Sequence, residues 1–360
     1  MSTLMALSGG VDSSVAAWLL SRDGHDLIGV SMQLWDSRAN GGTESRCCSP
    51  GDFRDARRVA GKAGFPYYIL DYEQEFSSRV VKPFMSAYLN GETPNPCVEC
   101  NRYLKFGALL DTALRLGAER LATGHYARID TDPHSGLRRL RRARDLGKDQ
   151  SYFLYNLGQA ELQRVLFPLG GMLKSEVRRA ARQAGLDVAD KPESQDLCFL
   201  GSMDRLTFMS RRGEKALGQE GAITTVDGHR IGTHLGLVRY TVGQRKALGN
   251  LPGGPWYVCR IDAEENRLVV GREQDLCHAS LEVADVSWVS GRPPSDDTHA
   301  GVRIRHAHHP SPAVIRALPG GRAQVKFTQP QRAITPGQAA VFYDGDIVLG
   351  GGRIERTTDA

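Results

Sequence analysis

No apolar run in this 360-residue chain approaches the roughly 20 residues needed to span a bilayer, Val15 to Leu20 being typical of the longest. Residues 1 to 7 also lack the basic and apolar regions of a secretory signal, so a soluble, cytoplasmic protein with no membrane partner is expected. Low-complexity tracts and internal repeats are missing, which leaves an ordinary packed globular chain. Seven cysteines, an odd number without a secretory signal, argue against a structural disulfide framework. Neither a second Cys-x-x-Cys nor a Cys-x-x-His accompanies Cys97-Val-Glu-Cys100, which counts against a closed zinc site. Charge of one sign is scarce as well: 46 Lys and Arg against 41 Asp and Glu leave +5, compatible with a polyanionic partner without demanding one.

What is present is an alternation of short apolar runs and helical patterns. Residues 3 to 7 read as a strand, Val11 to Leu20 as a buried helix and Leu27 to Leu34 as a second strand. A helix over residues 52 to 64, with Asp52 as N-cap and Gly64 at its end, leads into a strand at Tyr67 to Leu70. Helices around 75 to 89 and from Lys105 to Leu116 follow, then a strand from Arg120 to Thr123, which together argue for a parallel sheet covered by helices. Tyr126 to Arg144 reads as a hairpin, and Ser175 to Ala184 as a helix closed by Gly185. The expected division is α/β domain 1–204, small mixed connecting domain 205–280, and β-barrel 281–360 built from six strand candidates with a turn at Asp344-Gly345.

The string Ser8-Gly-Gly-Val-Asp-Ser-Ser14 sits between the first strand and the first helix. A helix start presents unpaired backbone N–H groups and partial positive charge to an anion. Gly9 and Gly10 let backbone approach a phosphate, Ser8, Ser13 and Ser14 offer hydroxyls, and Asp12 is a candidate magnesium ligand. No Gly-Lys-Ser/Thr follows, so this is not a Walker A loop. The string resembles the signature of the N-type ATP pyrophosphatases (PP-loop, adenine nucleotide alpha-hydrolase-like fold), which adenylate an oxygen and release pyrophosphate. The resemblance speaks to the first half-reaction only.

Further motifs extend it. Thr93-Pro-Asn-Pro96 with Cys100-Asn101 and Lys105-Phe106, Ala122-Thr-Gly-His-Tyr126, Lys148-Asp-Gln-Ser-Tyr-Phe-Leu154 and Ser194-Gln-Asp-Leu-Cys-Phe199 resemble the bacterial tRNA-specific 2-thiouridylase (MnmA) family. Thr233-His-x-Gly-x-x-x-Tyr-Thr-x-Gly-Gln-Arg245 and Thr335-Pro-Gly-Gln-x-Ala-Val-Phe342 carry the likeness to about residue 354.

The resemblance implies ATP-dependent replacement of the C2 oxygen of a wobble uridine by sulfur in tRNAs for Lys, Glu and Gln. It implies ATP contacts at Ala6, Leu7, Ser8, Gly9, Gly10, Val11, Asp12 and Ser13, with Met32 and Gly124 around adenosine. Cys198 would carry a persulfide received from a cysteine desulfurase or a relay protein, and Cys100 would act as nucleophile, leaving a disulfide between the two. A nearby cation, Lys105 or Arg102, is expected to favour a thiolate. Cys97 stands where the family often has an acidic residue, so Cys97, Cys100 and Cys198 are alternatively iron-sulfur ligands. Contacts with the tRNA anticodon stem-loop are implied for Asn95, Pro96, Cys97, His125, Lys148, Asp149, Gln150, Arg305, His306 and Gln338. The arginine run from Arg138 to Arg144 reads mainly as a solvated hairpin face, Cys259 and Cys277 as buried small hydrophobes, and Cys47-Cys48 as an exposed pair.

Overall fold

Ser2–Ala6 is apolar on both faces, the mark of a strand buried inside a parallel sheet. It pairs in parallel with Asp26–Gln33 on one side and Arg120–Ala122 on the other. Tyr67–Asp71 and Val165–Leu166 complete five strands at the two edges. Leu4, Val30 and Leu121 point to one core, while Met5, Leu27 and Ala122 point to another across the sheet. The computed structural model describes residues 2–35, 49–193, 197–201, 203–212 and 215–358. Cys47, Cys48 and the stretch 194–196 lie outside the described residues.

The helix Val11–Arg22 buries Val15, Ala16, Ala17 and Leu20 against the sheet. Pro50–Ala63 forms the next helix, and its N-cap is Ser49 rather than Asp52. Ser49 accepts from the backbone N–H of Asp52, whose carboxylate accepts in return from the Ser49 N–H: a capping box with Pro50 following the cap. The helix carrying the cysteine pair starts earlier than expected. Pro96 opens it, because a first-turn position needs no N–H, and it runs without a break to Arg115, widened between Cys100 and Leu109 to i→i+5 bonding.

Gly221–Thr225, Arg230–His234, Tyr257–Asp262 and Arg267–Gly271 make a separate four-stranded sheet around Ile223, Val258, Leu268 and Val270. Six antiparallel strands follow: Cys277–Trp288, Thr298–Arg303, Ser311–Leu318, Arg322–Arg332, Ala339–Asp344 and Ile347–Thr357. The last pairs with the first, closing a barrel around Val283, Ile315, Val325 and Phe342. Its first strand begins at Cys277, four residues before the expected boundary, and Cys277 is exposed rather than buried.

The hairpin Ala127–Thr131 and Arg138–Arg142 belongs to the barrel's sheet. Leu140 pairs with Val348 and Arg141 with Ile347, so the first domain lends two strands to the third. The arginine run is correspondingly paired instead of being a plain solvated face: Arg139 meets Asp130 bidentately, Arg141 bridges Asp130 and Asp346, and Arg142 reaches Asp149. No described helix is long and apolar enough to cross a membrane.

Candidate active site

Sheet order changes direction between Ser2–Ala6 and Arg120–Ala122, and open α/β sheets bind ligands at the carboxyl ends of the strands flanking such a point. Those two ends carry the loop Ser8–Ser14 and the segment Thr123–Gly124–His125. They touch: a Cβ on Gly124 would lie 2.7 Å from the backbone N of Ser13 and 2.9 Å from the carbonyl carbon of Asp12. Gly124 is therefore a close-approach glycine and not merely a turn residue. Gly9 is another, with φ +69° and its missing Cβ 2.4 Å from the Asp52 carbonyl oxygen.

Gly10 is the N-cap of the first helix and supplies no side chain to its N–H groups, which leaves them for an anion. Ser13 Oγ accepts from the Ser8 N–H at 3.1 Å and donates to Gly10 O at 3.2 Å, while Ser14 Oγ donates to Gly10 O at 2.8 Å. These bonds hold the loop in shape without a ligand.

Three lysines that pattern reading did not assign to this site surround the loop or its partners. Lys174 Nζ donates to both oxygens of Asp12 at 2.7 and 2.8 Å and pairs with Glu193 at 2.8 Å. Lys148 Nζ donates to the other oxygen of Glu193 at 2.7 Å. Lys191 Nζ donates to Gly9 O at 3.0 Å and bridges Asp52 and Asp55. The Tyr126 hydroxyl also donates to Asp12, and burial together with that carboxylate pushes its pKa well above the ordinary tyrosine value. The candidate magnesium ligand Asp12 is thus engaged by Lys174 and Tyr126.

On the other side of Gly124, His125 Nδ1 lies 2.7 Å from Thr123 Oγ1, and its Nε2 is 3.5 Å from Lys105 Nζ. An ammonium can only donate, so Nε2 accepts and Nδ1 carries the proton. Burial first, and the Lys105 charge second, hold this imidazole well below its usual pKa. The same lysine opposes the burial that raises the Cys100 thiol. The balance at Cys100 is upward: Lys105 offsets desolvation without overcoming it. Cys100 and Cys198 pack against one hydrophobic core, which also takes in Phe199; Phe199 meets Phe76, Phe84 and Phe208 edge-on or tilted. Cys97 is exposed. Among the described residues no three Cys, His, Asp or Glu side chains converge to hold a metal ion.

A family model described as the tRNA methyl transferase HUP domain matches residues 1–202, one described as the tRNA methyl transferase PRC-barrel domain matches 207–272, and one described as the aminomethyltransferase beta-barrel domain matches 278–354. The tRNA-specific 2-thiouridylase MnmA of Geobacter metallireducens is 48% identical over 357 residues, covering 98% of this chain and 96% of that one. This chain belongs to the MnmA family. The MnmA proteins of Heliobacterium modesticaldum, at 47% identity over 99% of this chain and 93% of theirs, and of Chloroflexus aurantiacus, at 48% over 98% of both, agree.

The MnmA positions expected to face RNA fall into two groups. Cys97 and His306 are exposed, and Asn95, Lys148, Gln150 and Arg305 are half-buried. Asp149 is a correction: it is 2% exposed, and its carboxylate accepts from Arg142, Arg303, Ser151 and the Ala143 N–H, so it is an internal anchor between hairpin and barrel. Pro96 is buried as the helix start, His125 is committed to Lys105 and Thr123, and Gln338 donates to Thr93 O at 2.9 Å, docking the Pro-rich loop on the barrel. Lys174 and Glu193 gave no signal because neither belongs to a spaced motif. Lys191-Pro192 read only as a helix breaker.

Proposed function

We propose that this chain converts a uridine of tRNA to 2-thiouridine with ATP, its target being the C2 oxygen of the wobble base in the anticodon stem-loop. The observation that carries the reading is adjacency. The anion-ready helix start at Gly10 and the thiol-side cluster of His125, Lys105 and Cys100 meet at the close approach of Gly124 to Asp12 and Ser13.

A ring carbonyl of uracil is a poor electrophile because its oxygen leaves badly. In the proposed reaction the C2 oxygen attacks the α-phosphorus of ATP and pyrophosphate departs, held by Ser8–Ser14 and the lysines beside it. Cys198 carries the incoming sulfur as a persulfide, supplied by a cysteine desulfurase or a relay protein. The Cys100 thiolate attacks the Cys198 sulfur, the bond to the terminal sulfur breaks, and that electron pair forms the C2–S bond. AMP then leaves with the former carbonyl oxygen. The resulting Cys100–Cys198 disulfide needs two electrons, from an external dithiol or a pair of external thiols. Lys105 supports the thiolate, and the neutral His125 keeps Lys105 in place. A magnesium ion with ATP would screen the phosphate charge. The reaction belongs in the cytoplasm with its tRNA.

Purified chain incubated with ATP and unmodified tRNA should release pyrophosphate only when tRNA is present, and with a sulfur donor should yield 2-thiouridine. Cys100→Ser and Cys198→Ser should abolish thiolation and leave pyrophosphate release. Thiolation surviving either substitution would sink the sulfur scheme, and pyrophosphate release indifferent to tRNA would sink the assignment of the acceptor.

A further inference from the structure

Cys97 and Cys100 stand three residues apart at the start of the helix that runs from Pro96 to Arg115, and their surroundings differ. Cys97 is exposed, whereas Cys100 is half-buried and packs with Cys198 against the core that Val98, lying between the pair in sequence, enters fully. Burial also pushes the Cys100 thiol up. A reductant in solution therefore meets Cys97 readily and a bond between Cys100 and Cys198 poorly.

Residues three apart on a helix have Cβ atoms about 5–6 Å apart, and a disulfide needs about 3.8 Å. The turn is already tightened in that direction. The Cys100 N–H donates to Cys97 O as well as to Pro96 O, and i→i+3 bonding of this kind brings side chains three apart into eclipse. A helix start is also where backbone N–H groups lack intrahelical partners, so the remaining closure disturbs less there than it would in mid-helix.

We propose that Cys97 is a further catalytic residue, the resolving thiol of the sulfur transfer. Its thiolate attacks the Cys100 sulfur of the Cys100–Cys198 disulfide. The Cys97–Cys100 bond forms, the Cys100–Cys198 bond breaks, and the electron pair leaves on Cys198 as a thiolate ready for the next sulfur. That exchange gains and loses no electrons. An external dithiol then attacks the exposed Cys97 sulfur, and Cys100 leaves as a thiolate and takes a proton. The second thiol of the reductant closes its own disulfide and releases Cys97, so both electrons enter at the surface. The inference rests on the persulfide reading of Cys198 and Cys100.

The test uses the full chain, loaded with sulfur at Cys198 and given ATP and unmodified tRNA for one turnover without reductant. The reaction is quenched in acid, alkylated with N-ethylmaleimide, and mapped by peptide mass spectrometry. Wild type should show Cys97 and Cys100 joined within one peptide and Cys198 alkylated. Cys97→Ser should show Cys100 joined to Cys198. At limiting dithiothreitol, the steady-state rate of Cys97→Ser, taken relative to its own first turnover, should fall at least about tenfold below the same ratio for wild type. Added dithiothreitol should restore it, which a role confined to touching tRNA would not produce. Wild type that stops at Cys100–Cys198, or Cys97→Ser that turns over repeatedly like wild type at limiting reductant, overturns the proposal. So does an anaerobically purified chain carrying stoichiometric iron and sulfide that Cys97→Ser loses, since Cys97 is then a cluster ligand. Thiolation that survives Cys100→Ser or Cys198→Ser sinks the persulfide reading and this inference with it.

Discussion

Replacing Asp149 by alanine should destabilise the protein far more than removing a surface acid, and it separates an internal anchor from an RNA contact. The side chain is 1% exposed, and its oxygens accept from Arg303 at 3.0 Å, Arg142 at 3.2 Å, Ser151 Oγ at 3.0 Å and the Ala143 N–H at 3.1 Å. Arg303, itself 7% exposed on its side chain, lies near the rings of Tyr152 and Tyr343 and has no other carboxylate within salt-bridge distance among the described residues. Breaking a buried pair by removing one partner costs about 3–5 kcal/mol, because the remaining charge stays desolvated and unpaired. At roughly 2–4 °C per kcal/mol for a cooperative unit of 150–250 residues, the melting temperature should fall by about 6–20 °C. Scanning calorimetry reads this directly. Arg303→Met added to Asp149→Ala should recover much of the loss, since the orphaned guanidinium is gone. If Asp149→Ala melted within about 1 °C of wild type and instead lost tRNA affinity, the anchor argument would be wrong.

Gly124→Ala should raise KM for ATP by at least about tenfold and, at about 1–3 kcal/mol for overpacking, lower the melting temperature by about 2–12 °C, because its Cβ meets the backbone at Ser13 and Asp12 and the helix start must shift; initial-rate kinetics and calorimetry check this. Lys105→Met should slow iodoacetamide labelling of Cys100 at fixed pH, since burial already raises that thiol and Lys105 alone opposes it; unchanged labelling would remove Lys105 from the thiol's environment. His125, His234 and His308 all have lowered pKa values in the fold, chiefly through burial. Below about pH 6.5 the unfolded chain binds protons that the native histidines refuse, so stability should fall as pH drops from 7 to 5. His125→Gln should flatten part of that slope in urea melts.

Much of the architecture was legible because the responsible signals are local. The Gly-Gly loop after a buried strand, the Gly64 and Gly185 helix ends, and the alternation of the barrel strands each announce themselves within ten residues or so. The helix start at Pro96 was missed because Thr93-Pro-Asn-Pro96 reads as loop, although a proline at a first helical position fits well. The two-residue edge strand Val165–Leu166 is too short to show any period. The lending of a hairpin to the barrel is a pairing between positions 140 and 348, which no local pattern encodes. The site divides the same way. The loop and cysteines stood out as motifs, whereas Lys174, Glu193 and Lys191 matter only through partners distant in sequence.

The lent hairpin also sets a timetable for synthesis. Arg138–Arg142 emerges from the ribosome roughly 200 residues before its partner strand at Ile347, a wait of roughly 10–40 s at 5–20 residues per second. An unpaired strand edge is a hazard for that long, since another nascent chain can pair with it. Two arginines flank Leu140 on either side along this edge, and Asp130 already answers Arg139 and Arg141 from the neighbouring strand before Asp346 exists. The charges that later lock the barrel in place are thus also the ones that keep the waiting edge from recruiting the wrong neighbour.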